Sequence, residues 1–177
     1  DSLPDRFGNA VIDQWLVLQG RTPESFNVVE RLCYTGKRGM GALEYKPAMS
    51  PRGGSNEKID IPGLVEFASS VFEKREQIHL SARDQMTYKQ LLKLGTSAGG
   101  ARAKAVIAYN EETGDIRSGQ IDLDQGYGYW LIKFDGVSKN GDHTLEDVPE
   151  YTRIEYAYYK MAVRAGIVMS ECKLLEE

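Results

Sequence analysis

The residues best suited to chemistry lie in the second half of the chain. Gly95-Thr-Ser-Ala-Gly-Gly-Ala-Arg-Ala-Lys104 is a loop of small residues with cations at its end, Tyr129-Trp-Leu-Ile-Lys-Phe-Asp135 carries Lys133, and a later helical stretch carries Glu155. Small side chains from Ser97 to Ala101 let backbone N–H groups approach an anion, and Arg102 and Lys104 add positive charge. As a bare string the loop fails both standard phosphate tests. A P-loop requires lysine where Ala101 stands, and Ser97 occupies the place of the second glycine in G-x-G-x-x-G. The same segment reads equally as a flexible linker.

Lys133 shifts that balance. Period-two alternation puts Tyr129, Leu131 and Lys133 on one side of a strand and Trp130, Ile132 and Phe134 on the other. A lysine on the inward side of such a strand is costly to bury alone, because desolvation opposes the ammonium, so it requires a carboxylate or phosphates nearby. Glu155, in the first turns of the following helix, lies off the Ile154/Tyr158 stripe by about 100° per residue and can reach the sheet's edge. Protein kinases use this arrangement: a strand lysine on the nucleotide phosphates, held by a helix glutamate. The plainer alternative is an edge lysine reaching solvent and an exposed helical glutamate.

The elements that must position these residues are marked unevenly. Phe7, Val11, Ile12, Trp15, Leu16 and Leu18 recur at near-helical spacing before Gly20. Thr22-Pro23-Glu24 predicts the start of a second helix, with Phe26, Val29, Leu32 and Cys33 inside and Gly36 as its stop. Gly36 to Gly41 reads as a tight turn and Ser50 to Asn56 as an exposed loop. Helical spacing returns over Pro62–Gln77, through Leu64, Phe67, Ala68, Val71 and Phe72, and a short helix is expected over Asp84–Leu94. After Gly95 the pattern changes. Lys104–Tyr109 and Ile116–Asp122 form a hairpin around Asn110-Glu-Glu-Thr-Gly-Asp115, and Tyr129–Phe134 is a third strand. A helix over Pro149–Ala165 has Ile154, Tyr158, Met161 and Ala165 as its core stripe and Gly166 at its end, and Cys172–Leu175 reads as a last strand. The expectation is therefore an α+β chain with a boundary near Gly95: residues 1–94 mainly helical, residues 95–177 an antiparallel sheet plus one helix.

Composition excludes several classes. Forty-one per cent hydrophobic and 27% charged residues over 177 positions describe an ordinary globular chain. A net charge of −4 gives no general attraction to nucleic acid. No run approaches the roughly 18 to 20 apolar residues that span a bilayer, and the acidic start is unlike a secretion signal, so a cytoplasmic location is expected. Cys33 and Cys172 read as two half-buried thiols rather than a disulfide or zinc pair, and His79 and His143 lie too far apart to read as a metal or nucleophile site. No metal ligands are expected.

Five blocks together resemble the HipA-like serine/threonine kinases, the toxin half of bacterial toxin–antitoxin pairs: Asp1-Ser-Leu-Pro-Asp-Arg-Phe-Gly8, Gly36-Lys-Arg-Gly-Met-Gly-Ala-Leu-Glu-Tyr45, Gly95 to Lys104, Leu131-Ile-Lys-Phe-Asp135 and Arg153-Ile-Glu-Tyr156. The resemblance implies that residues 95–177 are part of a kinase N-lobe and residues 1–94 the helical part of the preceding region. It implies that Ser97 is autophosphorylated, that Gly99, Gly100, Ala101, Arg102, Ala103 and Lys104 cradle the phosphates, that Lys133 is the nucleotide lysine, and that Glu155 is its ion-pair partner. ATP and Mg²⁺ are the implied cofactors of the intact enzyme, with none held tightly by this piece. A HipB-like antitoxin is the implied partner, an aminoacyl-tRNA synthetase the implied substrate, and DNA is approached only through the antitoxin.

The departures from the family are as telling. No catalytic-loop Asp followed by a metal-binding Asn is found, nor a later magnesium Asp, so the chain reads as an excised central piece that does not transfer phosphate by itself. Two other readings stand beside the kinase: a non-catalytic interaction module derived from a kinase, and a nucleotide-binding enzyme with a divergent P-loop.

Overall fold

The computed structural model describes residues 3–39, 42–49, 58–65, 104–120, 122–123, 125–135 and 150–175. The first helix, α1, spans Arg6–Leu18 and is capped by Asp5, whose carboxylate accepts the Gly8 N–H at 2.7 Å. Val11, Ile12 and Leu16 lie buried on its inner face, and Trp15 packs edge-on against Phe26 and tilted against Tyr34.

The second helix, α2, begins later than its proline suggests. Thr22-Pro23-Glu24 opens only a single 3-10 turn over Pro23–Ser25, and α2 spans Val28–Thr35. The competing signal is Asn27, whose side chain accepts the Glu30 N–H at 3.0 Å while the Glu30 carboxylate accepts the Asn27 N–H at 2.9 Å. This reciprocal capping box satisfies two helix-end donors, which Thr22 does not do. The later start turns Val29 outward, whereas Phe26 and Cys33 are buried. Arg31 fastens α2 to α1 through Asn9 at 2.7 Å and Asp13 at 2.8 Å. Gly36, at φ 54°, ends the helix in a backbone region that favours glycine.

Residues 58–60 run beside the sheet, the Ile59 N–H donating to the Ile116 carbonyl at 2.9 Å, and residues 61–65 are helical. The rest of the helix expected over Pro62–Gln77, the helix expected over Asp84–Leu94 and the glycine loop up to Ala103 lie outside the described residues.

Three antiparallel strands follow, β1 (Lys104–Asn110), β2 (Asp115–Ser118) and β3 (Gly128–Lys133), in the order β2-β1-β3. Asn110 builds the hairpin turn, its side-chain oxygen accepting the N–H groups of Glu112 and Thr113 at 3.0 Å each. β2 stops at Ser118, short of the Asp122 expected from its pattern. Next to it, the Gly119 N–H donates to the Val106 carbonyl at 3.1 Å, and a Cβ there would stand 2.6 Å from Val106 Cγ1 and 2.9 Å from that carbonyl.

The register pairs Ala105 with Ile132, Ile107 with Trp130 and Tyr109 with Ile116. This face joins Val11, Ile12, Leu16, Phe26, Tyr34, Ile59, Ile61 and Leu64 in one core, so the helical segment and the sheet share their buried side chains. The last helix, α3, spans Tyr151–Arg164. Its expected core stripe does not form: Ile154, Tyr158 and Met161 are exposed, and the half-buried side is Thr152, Tyr156 and Tyr159. None of the side chains of α3 is buried. Residues 167–175 form no strand, so Cys172–Leu175 is irregular; Cys172 is exposed and Cys33 buried, rather than both being half-buried.

Candidate functional site

β3 and α3 bring the lysine and the glutamate together. Lys133 Nζ lies 2.5 Å from Glu155 Oε2. The pair sits on the face that β3 turns away from the core, where Tyr129 and Leu131 are also exposed, and the two side chains keep 39% and 43% of their accessibility. Lys133 is thus not the inward lysine that its greasy neighbours imply: Trp130 and Ile132 occupy the core side and carry the hydrophobic pattern. An ion pair so exposed contributes little to stability, about 0 to 1 kcal/mol, and both charges are within reach of a ligand.

Lys104 has a different environment on the same face. Its Cα is the register partner of Lys133, yet its side chain is buried with Nζ 3.5 Å from Asp5 Oδ2. Asp5 therefore caps α1 with one oxygen and meets β1 with the other. Sequence reasoning missed this contact, and Asp5 is recognisable in advance only as a helix cap.

It also missed Asp135, just past β3. The Asp135 carboxylate oxygen Oδ2 accepts the Glu150 N–H at 2.9 Å and the Thr152 hydroxyl at 2.9 Å, joining the end of the strand to the start of the helix. No local signal marks this role, since the two donors lie 15 and 17 positions further along the chain. Beyond α3, Lys173 returns to the sheet, 2.6 Å from Glu111 in the hairpin turn and 5.1 Å from the Trp130 ring centre. The hydrogen bond to Glu111 holds the Lys173 ammonium above the ordinary lysine range.

Ser97, Gly99, Gly100, Ala101, Arg102 and Ala103 lie outside the described residues. No group of three His, Cys, Asp or Glu side chains among the described residues could hold a metal ion, and none of the described helices is long and apolar enough to cross a membrane.

Residues 96–177, the stretch holding the loop serine, Lys133 and Glu155, match the family model of the HipA-like C-terminal domain. Over this stretch the chain is similar to the HipA-like C-terminal domain. The match takes in β1, β2, β3 and α3, and the α+β arrangement of the HipA-like region is compatible with it. Searches of curated proteins and of solved structures returned no match.

Proposed function

We propose that the HipA-like region forms one wall of the nucleotide site of an ATP-dependent serine/threonine protein kinase. The observation that carries this reading is the Lys133–Glu155 ion pair at 2.5 Å, on an open sheet face inside the matched region. Lys133 meets the nucleotide phosphates and Glu155 holds the ammonium in place between ligands. The backbone of Gly99 to Ala103 approaches the phosphates, and Lys104 anchors the end of that loop through Asp5. Bound ATP supplies the γ-phosphoryl group for a Ser or Thr hydroxyl, with Mg²⁺ to neutralise its charge. No ligand set for Mg²⁺ is found among the described residues.

Ser97 is the autophosphorylation site in this reading. A phosphate there adds about −1.5 to −2 charge beside the nucleotide's own phosphates, which opposes binding and switches the site off. A HipB-like antitoxin, contacting DNA on the pair's behalf, is the proposed partner, and a component of the translation machinery such as an aminoacyl-tRNA synthetase is the proposed substrate.

Lys133→Ala in the protein as its gene encodes it is expected to weaken ATP binding by about tenfold or more, the scale of one lost charge-assisted contact. It is also expected to abolish phosphate on Ser97. Undiminished Ser97 phosphate by mass spectrometry, in protein from a host without a sibling kinase, would overturn the assignment. The exposed apolar residues Ile154, Tyr158 and Met161 favour a second reading, a kinase-derived module that binds a protein partner. ATP binding that depends on Lys133 discriminates against it.

A further inference from the structure

We propose that Asp135 is a positioning residue that sets the Lys133–Glu155 pair by clamping the start of α3 to the end of β3. The proposal rests on the reading of that pair as part of the nucleotide site, and concerns how the fold holds it. Lys133 closes β3 and Asp135 follows it with only Phe134 between, while Thr152 stands one helical turn before Glu155. A single oxygen, Asp135 Oδ2, takes both the Glu150 N–H and the Thr152 hydroxyl at 2.9 Å. The strand and helix segments that carry the ion pair are therefore tied together through a second polar link.

Three observations show why α3 depends on such a link. First, α3 buries no side chain, so apolar packing does not fix its position as it fixes α1. Second, the ion pair is exposed, and a pair of that kind shifts a folding equilibrium by only about two- to fivefold. Third, Glu150 has φ 114°, a conformation strained for any residue but glycine, and its side chain gives α3 no cap. Strain of this kind persists only where surrounding contacts over-determine it, and Asp135 holds that very N–H. The carboxylate also supplies the acceptor and negative charge that a helix N-terminus favours.

The test is a double-mutant cycle of Lys133→Met and Glu155→Gln, read by urea unfolding of the whole chain in four backgrounds: wild type, Asp135→Ala, Asp135→Asn and Thr152→Val. Coupling in the wild type is expected to be about threefold in the unfolding constant. Asp135→Asn keeps an oxygen able to accept both hydrogen bonds and is expected to retain most of it. Asp135→Ala is expected to reduce it to about 1.3-fold or less, and Thr152→Val, which removes one donor and leaves the carboxylate, to an intermediate value. General destabilisation cancels in the cycle, so a merely structural Asp135 would leave the coupling untouched. Coupling undiminished in Asp135→Ala overturns the proposal. If that variant does not fold, undiminished coupling in Thr152→Val overturns it. Because no nucleotide enters the measurement, a chain that fails to bind ATP would defeat the kinase reading and leave this result standing.

Discussion

Single residues decide which charges in this molecule are structural and which face outward. Asp115 accepts the Tyr127 hydroxyl at 2.6 Å and the Arg117 guanidinium at 2.6 Å. These bonds, Tyr127's first, hold its carboxyl below the ordinary carboxylate range, and the same contact raises the Tyr127 phenol. A lowered folded-state pKa contributes stability that is present above the unfolded value of about 3.9 and is lost as pH falls through the folded value. The β1–β2 hairpin is therefore expected to lose this contribution in acid. Stability followed by denaturant unfolding from pH 6 downward should fall less steeply in Asp115→Asn than in wild type, and identical pH slopes would contradict it. Such differences cannot be read from composition: Lys104 and Lys133 face each other across one register, yet Lys104 is buried beside Asp5 and Lys133 accessible beside Glu155.

At the scale of elements, local chemistry was legible and facing was not. α1, β1, the Asn110 turn and β3 emerge close to the positions that spacing and turn residues predict, because each signal lies within the element itself. The start of α2 moved because two capping signals competed and the one with a reciprocal partner won. Asn27→Ala should accordingly cost about 1 kcal/mol of stability, measured by chemical denaturation, while Thr22→Ala serves as the near-neutral control. The α3 stripe was misread for another reason. Ile154, Tyr158 and Met161 have core spacing, but which side of a helix is covered depends on elements elsewhere in the chain. Of the candidate site, strand alternation grouped Lys133 with Tyr129 and Leu131, as the structure does, but took that side for the inward one. Asp135 was not legible, because its donors are distant in sequence and adjacent only after α3 has docked.

Across the whole molecule, one core serves both the helices and the sheet. Leu16 on α1 is fully buried in the cluster that also holds Ile107 and Ile116. Leu16→Ala is expected to cost about 2 to 5 kcal/mol. The two tryptophans, Trp15 on α1 and Trp130 on β3, report the two regions separately. Single-tryptophan versions should show both unfolding midpoints falling together, whereas movement of the Trp15 transition alone would mean that the regions unfold independently.

Gly119 restricts the mutational routes open to the chain. A methyl group there meets Val106 backbone as well as side chain, so neither a rotamer change nor a trimmed neighbour makes room for it. Any other residue must push the end of β2 from β1, and β2 also carries the hydrogen bond that seats Ile59. Drift at this one position therefore reaches two segments that are far apart in sequence. Neighbouring surface sites can vary freely, while sequences sharing this hairpin are confined to those that keep a hydrogen atom where every other amino acid places a side chain.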